Sequence, residues 1–162
     1  MNEEKTIRLD RMRYTKNSLA SGLAILAILF DVFYFINIYE SNVGSWYYNI
    51  LMGASILYNL IFMLAAFLSS EGIKNYKIGY SYVMIVLGLI QILRIFIYPV
   101  RAHAATVTIQ EQAVIVMETK QFTTCVIWLV ASAACLLAGA VVGMIRSRAL
   151  KAHIASLEAQ AA

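Results

Sequence analysis

IGYSYVMIVLGLIQILRIFIY, residues 78–98, decides how this chain is read. At 1.5 Å per residue the stretch covers about 31 Å, enough to cross a hydrocarbon core of roughly 30 Å. It nevertheless carries Gln91 and Arg94. An arginine near hydrocarbon must face protein, water or an anion. The rest of the chain can be read as a scaffold that gives these two side chains somewhere to point.

Three further apolar runs, at 18–39, 47–68 and 122–145, are each long enough to span. The composition agrees, being 61% hydrophobic with a single Pro, against roughly 45–50% apolar for a soluble domain. The expectation is an all-α integral membrane protein, a four-transmembrane-helix bundle forming one domain over 1–162, with a tail at 146–162. So much chain lies in the bilayer that no soluble catalytic module is expected.

Residues 1–17 are polar and mixed in sign, with Lys5, Arg8, Arg11, Arg13 and Lys16 beside Glu3, Glu4 and Asp10. The apolar run that follows is too long for an ordinary signal peptide, and bulky Phe33, Tyr34 and Phe35 stand where small cleavage-site residues would be needed. It reads as an anchor. The basic cluster is suited to anionic headgroups, but a topology signal is the favoured reading. Lys74 and Lys77 lie in the second connection and Arg146, Arg148 and Lys151 in the tail; the first connection has no Lys or Arg, and the third only Arg101 and Lys120. Both termini are therefore expected in the cytoplasm, with the chain in the cell membrane. Tyr39, Trp46, Tyr47, Tyr48, Tyr98 and Phe122 mark the outer border, where rings prefer the headgroup level.

Asp31 lies about eight residues below the outer end of the first span, hence about 12 Å inside the slab. Arg94 lies nearer the outer end of the third, and its side chain leans toward the helix N-terminus, to the level of Asp31. Gln91 and Tyr34 share faces with the two charges, and Ser55 with Asn59, four apart, makes a polar stripe on the second span. Asp31, Tyr34, Ser55, Asn59, Gln91 and Arg94 form an expected intramembrane polar layer. Two readings compete: a structural ion pair that fixes helix register, or the lining of a water-filled path. One acid with one base has an obvious partner, which favours the structural reading.

On the fourth span Ala131, Cys135, Gly139 and Gly143 recur every four residues, with Ala134 and Ala138 beside them. Such a ladder is a helix-packing seam, internal or between subunits, and Gly139 to Gly143 is a GxxxG. Shorter pairs, Ser18 with Gly22 and Ala20 with Ala24, could complete a tight internal contact. Pro99 ends the third span. After it, 105–109 and 113–117 are rich in Val, Thr and Ile and read as a hairpin around Gln110, Glu111 and Gln112, with an interfacial helix as the rival. Beyond Ile145 the helix is expected to run on, with Leu150, Ile154 and Leu157 at helical spacing, though a fraying tail is favoured over a docking helix.

Catalytic chemistry is not evident. Cys125 and Cys135, ten residues apart on one helix, are about 15 Å apart and cannot bridge. His103 and His153 fall on opposite sides of the membrane and read as surface histidines, with no metal-ligand spacing around them. No phosphate loop or nucleophile elbow is present. The net charge of +4 follows the positive-inside pattern, so no nucleic acid is implied. The expected function is non-enzymatic, without cofactor: a small auxiliary subunit of a larger membrane assembly such as a transporter, with membrane lipid and a protein partner in the membrane. The alternative is a homo-oligomeric channel or proton-coupled small-solute carrier that uses the Asp31/Arg94 layer.

Overall fold

The computed structural model describes residues 3–38, 46–109 and 112–161. Tyr39, Gln110 and Glu111 lie outside them, as do the side chains of Trp46, Tyr47 and Tyr48, so that part of the aromatic border and the centre of the hairpin turn are not described; Tyr98, of the same border, is buried. The order of elements is α1 (Glu3–Tyr14), α2 (Ser18–Ile38), α3 (Trp46–Lys74), α4 (Ile78–Ile97), α5 (Pro99–His103), β1 (Thr106–Ile109), β2 (Gln112–Ile115) and α6 (Thr119–Ala161). Four of the helices are long and apolar enough to cross a membrane.

The buried positions explain how they pack. On α2 Ala20, Ala24, Ala27, Asp31, Tyr34 and Ile38 step alternately by four and three residues, with Ser21 buried beside them. Met52, Ser55, Asn59, Phe62, Ala66, Ser69 and Ile73 on α3 keep the same rhythm, as do Leu129, Ser132, Leu136 and Gly139 on α6. A step averaging 3.5 residues holds one stripe toward the neighbours when helices cross at a shallow angle. α6 and α3 each pack against both α2 and α4. Sequential helices are thus neighbours in a ring, and α2 faces α4 across the diagonal.

The same rhythm corrects the ladder of every fourth residue. Four residues turn a helix by about 400°, so a strict four-step ladder drifts about 40° per step around it. Gly139 and Gly143 are buried, Ala131 and Cys135 are half-buried at the edge, and Ala134 and Ala138 are exposed. Ser132, Ala133 and Ala140 complete the buried face instead. A Cβ on Gly139 would meet Met84 Cε at 2.7 Å and the Ala20 carbonyl oxygen at 3.2 Å; one on Gly143 would overlap the Ile73 side chain. The seam is therefore used inside the chain. On α2, Ala20 and Ala24 are fully buried while Gly22 faces open space.

Several segments reach further than their apolar content indicates. α3 continues six residues past Leu68, with Ser69 and Ser70 buried and the Ser21 and Ser70 hydroxyls 2.8 Å apart. It ends in a Schellman arrangement: Lys77 N–H donates to the Gly72 carbonyl at 3.2 Å and Tyr76 N–H to that of Ile73 at 3.0 Å. Tyr76 occupies the left-handed position at φ 57°, where a non-glycine residue costs about 1–2 kcal/mol. α1, unforeseen from its polar sequence, packs on α6, and His153 Nε2 lies 2.8 Å from Asp10 Oδ1. His153 is accordingly buried, contrary to its reading as a surface histidine. The 43-residue α6 runs on past Ile145, as expected, and is helical to Ala161.

At the opposite end of the bundle the hairpin pairs antiparallel, Thr106 with Ile115 and Ile109 with Gln112. Two strands alone are marginal. Here Val116 and Met117, both fully buried, plug the apolar cluster of Tyr34, Ile38, Tyr98 and Leu129. Pro99 does end α4, and also opens the short α5. His103 stacks on Phe122 at 4.7 Å, with Nδ1 3.2 Å from the Met117 carbonyl oxygen.

Candidate functional site: a polar layer across four helices

Two apolar clusters fill the bundle. One contains Ala27, Phe62, Leu87 and Leu136, and the other Tyr34, Met52, Ile95 and Leu129. Between them every spanning helix contributes a polar residue: Asp31 from α2, Ser55 and Asn59 from α3, Gln91 and Arg94 from α4, Ser132 from α6. All six are buried.

Arg94 and Asp31 meet across the diagonal, with Nη1 3.2 Å from Oδ1. Gln91 Nε2 donates to the same carboxylate oxygen at 2.8 Å, while its own oxygen lies 3.4 Å from Arg94 Nη1. Arg94 Nη2 donates to Ser55 Oγ at 2.8 Å and to the Ser55 carbonyl at 3.3 Å. The Arg94 guanidinium carbon also lies over the rings of Tyr34 and Tyr58, 4.3 and 4.6 Å from Cζ to the centroids. Desolvated cation–π contacts contribute about 2 kcal/mol each. These groups compensate a charge that hydrocarbon would not tolerate.

Ser132, absent from the sequence reading, joins α6 to the layer. Its hydroxyl donates to the Ala27 carbonyl at 2.9 Å and lies 3.4 Å from Gln91 Nε2. In sequence it is one more small residue in an alanine-rich stretch; only its register opposite Gln91 marks it. Ser132→Ala should lower stability by about 0.6 kcal/mol, the average for interhelical hydrogen bonds in a membrane. Thermal unfolding in detergent would check this.

The layer is not fully paired. Asp31 Oδ2, the Tyr58 hydroxyl and both polar atoms of the Asn59 side chain have no hydrogen-bond partner among the described residues. Asn59, expected to extend the stripe from Ser55, is buried beside the layer without bonding to it. A cavity of about 230 Å³ opens between α3 and α4, walled by Leu51, Ala54, Ile90 and Ile97, and it reaches Ser55, Tyr58 and Arg94. The layer is thus closed toward α6 and approachable from the side, between α3 and α4.

No protein-family model, curated protein or solved structure matches the chain.

Proposed function

We propose that the chain is a non-enzymatic membrane protein that acts by binding, as a small auxiliary subunit of a larger membrane assembly such as a transporter. The observation that supports this reading is how completely Arg94 is engaged. Both terminal nitrogens donate within the chain and the guanidinium carbon lies over two tyrosine rings. A group bound in this way sets helix register rather than awaiting a substrate. With the glycine seam also internal, what remains for function is the outer surface. α3 buries the smallest share of the four spans, and it exposes Leu57, Leu60, Ile61, Leu64 and Phe67 to lipid or to a partner helix. By the distribution of Lys and Arg both termini lie in the cytoplasm and the membrane is the cell membrane.

The test is the composition of the particle extracted from its native membrane in mild detergent, by affinity isolation and mass spectrometry. A fixed ratio to different membrane proteins is expected; a particle of this chain alone would overturn the reading.

The unpaired Asp31 Oδ2 and Asn59 amide favour a second reading, a homo-oligomeric channel or proton-coupled carrier, because buried orphan polar atoms are places where water or a proton can be held. In liposomes that reading requires a flux that Asp31→Leu with Arg94→Met abolishes while the fold survives.

A further inference from the structure

The geometry points to a binding site for an anionic phospholipid headgroup in the groove between α1, α6 and the α3–α4 turn. The groove holds about 540 Å³, within the range of small-ligand sites. Arg8, Arg11, Lys16 and Arg146 line it, and among the described residues no carboxylate does. The nearby acid on α1, Asp10, is directed to His153. That contact, with the bond from Arg146 Nη1 to Asn17 Oδ1 at 3.0 Å and from Asn17 N–H to the Lys74 carbonyl at 2.9 Å, sets α1 against the bundle. Four cations, three from α1 and α6 and Lys16 from the link between α1 and α2, are thereby gathered before any ligand arrives. Arginine forks match phosphate oxygens. Tyr76, held in the left-handed turn, contributes its side chain to the groove wall.

The level of the groove selects a lipid over a soluble anion. Lys16 stands two residues before α2 begins, and Arg146 directly follows Ile145, which is 63% exposed on the outer side of the bundle. The site lies where the apolar spans meet their polar flanks. Leu9, Met12 and Ile145 add an apolar wall continuous with that surface, suited to the glycerol and upper acyl carbons below a phosphodiester. The inference rests on the spans crossing a bilayer, and does not depend on whether the chain serves a larger assembly.

The test uses the full chain released from detergent micelles holding equal amounts of phosphatidylglycerol and phosphatidylcholine, read by native mass spectrometry. Preferential retention of phosphatidylglycerol is expected. Arg8→Gln with Arg11→Gln, both exposed positions, should weaken it about five-fold per arginine, or about thirty-fold together. Arg8→Lys with Arg11→Lys should keep most of the preference. Arg13→Gln with Lys77→Gln removes the same charge at the same end from residues that do not line the groove, and should cost clearly less than the groove pair, because it removes no contact to the headgroup. Unchanged thermal melting of each variant excludes misfolding. Equal loss in the two glutamine pairs, equal retention of the two lipids, or displacement of the lipid by millimolar glycerol phosphate would each overturn the proposal.

Discussion

Asp31→Ala is expected to destabilise the bundle by about 3–5 kcal/mol, the range for removing one partner of a buried ion pair. Arg94 would keep its bonds to Ser55 and its two tyrosine faces, but a full charge 5% exposed would lose its counter-charge. Gln91 would lose its 2.8 Å acceptor at the same time. Neutral hydrogen bonds between membrane helices average only about 0.6 kcal/mol, because the unfolded helices find other partners in the bilayer. A lone guanidinium has no equivalent refuge, so the ionic loss dominates. Asp31→Leu with Arg94→Met should recover stability to within about 1 kcal/mol of the wild type, since an apolar pair of fitting shape often equals or exceeds a buried salt bridge. Met suits a site lined by two aromatic rings because it is unbranched and polarizable. Reversible unfolding in mixed micelles would measure all three proteins. A single variant as stable as the wild type, or a double variant no better than the single, would show that the pair does not hold the bundle.

What the sequence makes legible follows from contrast. Asp31, Gln91 and Arg94 stand out because their apolar surroundings leave a polar group no neutral explanation, and helix direction with side-chain lean puts them at one level. Ser132 lacks that contrast, since a serine among alanines is small before it is polar, and its role depends on α6 being in register with Gln91. α1 and His153 were hidden for another reason. Neither carries a local signal, and each is placed by the other across 143 positions of chain, through Asp10. The loss of apolar residues after Leu68 suggests an end that α3 outruns, since Glu71 and Lys74 pair at 2.9 Å on the helix surface while Ser70 turns inward to Ser21. Polar residues end an apolar run without ending a helix. Charge counting along the basic N-terminal segment gives an orientation but is blind to convergence, and only the folded α1 brings Arg8 and Arg11 beside Arg146.

Gly143→Leu should be comparably damaging, at about 3 kcal/mol or more, and it separates an internal seam from one between subunits. Overpacking a tight core generally costs about 1–3 kcal/mol. At this site the first added carbon already overlaps Ile73 and comes within 3.1 Å of Ser81 Oγ. Ile73 is fully buried and cannot swing into lipid. Gly139→Ala should be milder: Met84 can withdraw its flexible tip, the Ala20 carbonyl oxygen and Leu23 Cβ, both at 3.2 Å, must give by a few tenths of an ångström, and replacing Gly by Ala inside a helix returns roughly 1 kcal/mol. Thermal unfolding and particle mass should be read on the same samples. Three helices converge on this glycine pair: α2 through Ala20, α3 through Ile73 and α4 through Met84 and Ser81. Loss of the fold is therefore expected before any change in assembly. A Gly143→Leu chain that melts like the wild type but comes apart from its neighbours would move the seam to the outside of the bundle, and the close approach of α6 to α2 and α4 would then need another cause.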